Sequence, residues 1–180
     1  QVITKADIEA GNLKFVPVAD ASGTPYDSFG FLVYDGALAA TASSTMTINV
    51  DAVNDAPTST NNTVTTNEDT TFTFSLEDFN FSDVDAGDEL VSVTITSLET
   101  VGALQLSGED VTLNQVITKA DIEAGNLKFV PVADASGTPY DSFNFLVSDA
   151  AVAATASSTM TINVDAVNDA PTSTNNTVTT

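Results

Sequence analysis

Residues 1–66 recur at 115–180 with four substitutions: Gly30/Asn144, Tyr34/Ser148, Gly36/Ala150 and Leu38/Val152. Residue 1 matching residue 115 sets a repeat of 114 residues, and repetition this close marks a tandem array of one structural unit. The acidic string DAVNDAPTSTNN stands at Asp51 to Asn62 and again, unchanged, at Asp165 to Asn176. Its prolines, Pro57 and Pro171, are natural domain punctuation, because proline fixes φ and removes a backbone donor. The expected organisation is the C-terminal half of a preceding repeat plus linker at 1–57, a complete repeat at 58–171, and the first strand of the next at 172–180.

Within the complete repeat the dominant hydrophobic period is two, the pattern of strands with one buried face. Phe72, Phe74 and Leu76 alternate with Thr and Ser; Val91, Val93 and Ile95 do the same. Phe143, Phe145 and Val147, then Met160, Ile162 and Val164, give two further core faces. Shorter strands are predicted at 62–66, 103–106, 111–113 and 127–132, with the turn LSGED between two of them. One helical signal stands out, TKADIEAG, in which Thr118 caps a single turn, Asp121 takes the capping-box position and Gly125 ends it. Seven or eight short strands in such a repeat predict an all-β, antiparallel Greek-key sandwich.

The chain carries 25 carboxylates against four lysines, with no histidine and a formal charge of −21. A phosphate backbone is repelled by such a surface, so nucleic acid is excluded as a partner. No apolar run reaches the roughly 18 residues of a membrane span, so no membrane insertion is expected in this segment, and any export signal is expected outside it. The carboxylates concentrate outside the alternating strands. SDVDAGDEL places Asp83, Asp85, Asp88 and Glu89 in one loop; TTNEDTT supplies Glu68 and Asp69; ADIEAG supplies Asp121 and Glu123. Asp149 follows a strand, and the linker adds Asp165, Asn168 and Asp169. Closely spaced hard oxygen ligands suit Ca2+, which takes six to eight oxygens at loose geometry, whereas zinc or copper would call for His or Cys, both absent. The plainer reading of any single carboxylate is solubilising charge.

The string SFNFLVSDA followed by STMTINVDAVNDAP resembles the end of a cadherin repeat, and most closely the cadherin-like (Ig-like) tandem repeats of large bacterial surface adhesins. The resemblance implies calcium at the junctions between domains. It assigns Glu68 to the first-strand glutamate, and Asp121 and Glu123, with Asp7 and Glu9 in the half repeat, to the DxE pair. It assigns Asp165, Asn168 and Asp169 to the linker, with Asp51, Asn54 and Asp55 as their first copy. Asp83, Asp85 and Asp88 fall in the DxDxGxN loop, and Asp149 or Asp35 takes the AxD position. The sequence departs from the pattern at Val167, at the order Asn168-Asp169, and at Glu89 where the loop has Asn.

Catalysis is disfavoured, since the only candidate acids and bases are carboxylates copied nearly unchanged between repeats. Thr-x-Thr stretches such as TVTT and TMTI suit a glycan- or surface-binding array, but alternation alone places threonine on a solvent face. The expected function is a structural extender in a calcium-dependent adhesin at the bacterial cell surface, projecting a binding domain in cell adhesion and biofilm, with neighbouring repeats as its partners. The alternative is an extracellular filament in which identical chains complete each other's half sandwiches.

Overall fold

The computed structural model describes residues 1–179 and divides the chain into two compact units, Gln1–Asn54 and the stretch from Asp55 onward. The first unit contains a short helix α1 (Lys5–Glu9) and two antiparallel strands, β1 (Gly23–Phe31) and β2 (Ser44–Val50).

The second unit runs β3 (Asn62–Asn67), β4 (Phe72–Thr73), a 3-10 turn at Leu76–Phe79, β5 (Ser92–Ser97), β6 (Ala103–Leu106), β7 (Glu109–Asp110), β8 (Val116–Thr118), helix α2 (Lys119–Glu123), β9 (Leu127–Val130), β10 (Gly137–Ser148) and β11 (Ser158–Asp165). One sheet has the order β3-β11-β10-β5-β8 and the other β4-β9-β6-β7. Their inner faces share one core in which Phe74, Phe79, Ile95, Leu104, Phe129, Phe143, Phe145, Met160 and Ile162 are fully buried. Edge-to-face ring pairs join it, Phe74 with Phe143 at 5.7 Å and Phe79 with Phe145 at 5.1 Å. The result is the all-β sandwich that the alternation predicts.

Several local expectations are corrected. β3 lies parallel to β11, Ile162 opposite Val64, so the sheet is mixed rather than wholly antiparallel. Side-chain alternation carries no information about strand direction. No strand forms at 111–113; β7 ends at Asp110, past which the Val111 N–H still donates to the Leu104 carbonyl at 2.8 Å, while Val116–Thr118 forms β8 against β5. Leu76 begins the 3-10 turn instead of extending β4, with Asp78 accepting from the Ser75 N–H at 2.7 Å. Val91 precedes β5 and is 43% exposed. β9 stops at Val130 because Pro131 has no N–H to continue the ladder, and the Val132 N–H donates to the Tyr140 hydroxyl instead. The helix at Lys119–Glu123 forms as predicted: the Thr118 hydroxyl accepts from the Asp121 N–H at 3.1 Å, and Gly125 at φ +69° ends it.

Gly102 sits where the chain turns into β6, at φ +81°. A Cβ there would lie 2.6 Å from the Phe129 ring and 2.8 Å from the Val130 carbonyl, so only glycine lets β6 approach β9.

Candidate metal centre

The loop 83–90, DVDAGDEL, is dominated by Asp, Gly, Ala and Glu, which strands disfavour, and turns at Gly87, φ +102°. Asp83 accepts from the Asp85 N–H at 2.9 Å, a local Asx turn that folds the loop over its own carboxylates. Asp85 in turn accepts from the Asp55 N–H at 2.6 Å, tying the linker residue to the loop. One oxygen from each of Asp83, Asp85 and Asp88 falls within 4.8 Å of the others. The second oxygen of Asp83 is buried and has no hydrogen-bond partner among the described residues.

Asp149 is buried, and its carboxylate accepts from the Ala151 and Val152 N–H groups at 2.6 and 2.5 Å. Partial desolvation, then the charges of Asp83, Asp149 and Asp85, push the Asp88 carboxyl above the ordinary carboxylate range. Glu89 sits beside this group but turns to Lys119, whose ammonium lowers its pKa.

A second acidic group lies at the opposite pole, where β3 and β11 end. Glu68, 6% exposed, accepts from the Val167 N–H at 2.6 Å, and its own N–H donates to the Asp165 carbonyl at 2.9 Å. Exposed oxygens of Asp69, Asp134 and Asp169 converge within 4.8 Å, with the Asp134 N–H donating to Asp69 at 3.2 Å. Sequence reasoning placed Asp69 in an acidic cluster without giving it a ligand role, and did not single out Asp134. Their signal was positional: both are turn aspartates at positive φ, 61° and 57°, at the pole that carries the linker. Asn168 donates its side-chain amide to the Asp169 carbonyl at 3.1 Å.

The DxE pair stands elsewhere. Asp121 accepts from the hydroxyl of Thr118, the cap of α2, at 2.6 Å, and that bond holds its pKa low. Helix α2 begins beside Glu89, so neither Asp121 nor Glu123 joins Glu68 and Asp165. In the first unit Asp7 bonds in the same way to Thr4, the cap of α1, Glu9 pairs with Lys5 at 3.4 Å on the surface, and Asp35 accepts from the Ala37 and Leu38 N–H groups at 2.8 Å each. Asp51 and Asn54 close that unit, and Asp55 opens the second.

The donors at both poles are all oxygen, and the orphaned Asp83 oxygen is the kind of group that a hard cation satisfies. The residues therefore fit Ca2+, with Asp83, Asp85 and Asp88 as the side chains that would hold it. The scaffold that positions them matches a bacterial Ig domain over residues 54–164. The chain belongs to this bacterial Ig domain family. Bacterial Ig domains are generally non-enzymatic structural modules and typically occur in surface or extracellular proteins. Neither curated proteins nor solved structures give a significant match to the chain. The matched stretch of the Ig domain contains the Asp83–Asp88 group, Asp149, Glu68, Asp69 and Asp134 and ends before Asp165, so at the second pole Asp169 comes from the linker.

The electrostatics of the Ig domain give a testable sign. A carboxyl whose pKa is raised by folding favours the fold when protonated, so Asp88's contribution is full below its unfolded value, about 3.9, and is lost as pH rises through the folded value. Asp88→Asn is therefore expected to raise the melting temperature at pH 7 in chelator, and the gain should vanish near pH 3. With millimolar calcium present the same substitution should cost stability. Calorimetric melts at the two pH values, with and without calcium, check all three signs.

Proposed function

We infer that this Ig domain is an extender repeat of a calcium-dependent adhesin on the bacterial cell surface, its repeats stacked end to end to project a binding domain in adhesion and biofilm. The observation that carries this reading is the placement of carboxylate groups at opposite poles of one sandwich, Asp83, Asp85 and Asp88 at one and Glu68, Asp69, Asp134 and Asp169 at the other. In an array, the linker brings the second pole of one repeat toward the first pole of the next. Eighteen carboxylates and two lysines leave residues 58–171 with a charge of −16, so neighbouring poles repel until a divalent ion neutralises them. Extracellular calcium modules bind at about 10⁻⁴ to 10⁻³ M, which suits a switch from jointed to rigid outside the cell. Near-identical copies also fit a spacer, since length is gained by copying.

Small-angle scattering of an array of several repeats tests this directly. Maximum dimension is expected to increase on going from excess chelator to millimolar calcium, as proline-bearing linkers cease to bend. Equal dimensions in both conditions would leave the acids as solubilising charge.

A further inference from the structure

The outer face of the second sheet carries an acid-free hollow in an otherwise acidic domain. Phe72, Leu104 and Phe129 face the core, so their neighbours Thr73, Gln105 and Lys128 point outward. Strand pairing sets these three side by side across the sheet, Thr73 opposite Lys128 and Lys128 opposite Gln105. At one end the hollow is walled by the turn after β6, where Ser107 and Gly108 lie at φ 55° and 88° and the Ser107 N–H donates to the Asn126 carbonyl at 2.9 Å. The space between these residues is about 320 Å³ and open to solvent.

Residues 58–171 hold eighteen carboxylates and two lysines, yet none of the side chains lining this hollow is acidic. One strand further out, Asp110 accepts from the Gln105 side-chain amide at 3.0 Å. Lys119 is tied to Glu89, whereas Lys128 is exposed and makes no ion pair among the described residues. The hollow therefore offers one ammonium set among hydroxyls and amides, groups that both donate and accept. The stretch AGNLKFV stands at 10–16 as well as at 124–130, so the array presents the Asn and Lys of this site once per repeat.

We propose that this hollow binds an extended polysaccharide of mostly neutral sugars carrying sparse uronate carboxylates, with a carboxylate at Lys128 and sugar hydroxyls on Thr73, Gln105 and Asn126. Sugar hydroxyls match the mixed donors and acceptors, and a carboxylate matches the unpaired ammonium. A peptide finds little here, since Val130 is the one apolar lining residue among those described. The charge of −16 on residues 58–171 sets the spacing of charge on the ligand. A polymer with a carboxylate on every sugar is repelled by the surrounding acids, whereas single uronates separated by neutral sugars meet one ammonium per repeat. Each site alone is weak, on the order of millimolar, and the array gains by occupying many at once. None of these residues is a candidate calcium ligand, so the two readings stand or fall separately.

The test titrates the whole isotope-labelled chain with gellan oligosaccharides, in which neutral sugars separate single glucuronates, in chelator so that calcium cannot bridge carboxylates. Amide shifts are expected at Thr73, Gln105, Asn126 and Lys128. Lys128→Gln should weaken binding about tenfold without moving the melting temperature. Dextran oligosaccharides, neutral throughout, should bind the unaltered chain about as weakly as gellan binds Lys128→Gln. Immobilised gellan polymer should retain an array of several repeats about a hundredfold more tightly than the single chain. Absence of shifts, shifts confined to other residues, or undiminished binding by Lys128→Gln overturns the proposal. So does a short peptide with one glutamate that moves the same amides at the same concentration, which would make the hollow a general carboxylate site.

Discussion

Millimolar calcium, added to chain stripped with chelator, is expected to raise the melting temperature of the Ig domain by about 5–10 °C. A ligand that binds only the folded state at ten to a hundred times its dissociation constant stabilises by roughly 1.4–2.7 kcal/mol, and a domain near 100 residues gains about 4 °C per kcal/mol. The gain should depend on the loop: Asp83→Asn combined with Asp85→Asn removes two of the three converging carboxylates and should abolish most of the response. The Asp85 change also loses a charged acceptor for the Asp55 N–H, so a small loss in chelator is expected from that bond alone. Differential scanning calorimetry of both chains in both buffers separates the terms. A shift that survives the double substitution would move the site away from this loop.

Truncating Phe143 is expected to cost about 3–5 kcal/mol, while truncating Phe29, the same residue one repeat earlier, should leave the sandwich within about 0.5 kcal/mol. Phe143 is fully buried and meets Phe74 edge to face; Phe29 is 45% exposed and belongs to the other unit. Set against a total stability of about 5–15 kcal/mol, the first change removes a large fraction of what holds the domain folded. In urea, with a slope of about 1–3 kcal/mol/M, it moves the midpoint by on the order of 2 M. Urea titrations of Phe143→Ala and Phe29→Ala, followed by far-ultraviolet circular dichroism, measure the contrast. Equal costs would mean that the two halves share one core.

The fold was legible where a single local rule decides the outcome. Period-two alternation marks β10 and β11 because Phe143, Phe145 and Val147, then Met160, Ile162 and Val164, all face inward, and the cap at Thr118 follows from the side chains of TKAD alone. Long-range pairing was not legible. The parallel match of β3 to β11 depends on where residues some hundred positions apart meet, and β8, though Val116, Ile117 and Thr118 are all strand formers, is three residues that only pairing with β5 makes a strand. At the site, the Asp83–Asp88 group was readable because its ligands are close in sequence. The meeting of Asp69 with Asp134 was missed because only the fold brings their turns together. Asp121 illustrates the reverse limit: the same side chain satisfies a short ligand motif and a helix cap, and here its oxygens face Thr118 and Asn126.

A crystal structure of the chain grown in about 10 mM calcium would show whether the Asp83–Asp88 loop holds an ion. A cation with six to eight oxygen ligands at about 2.3–2.6 Å is expected, among them Asp83, Asp85 and Asp88, with the buried oxygen of Asp83 as one of them. A water molecule hydrogen-bonded to that oxygen, with no ion among the three carboxylates, would contradict it.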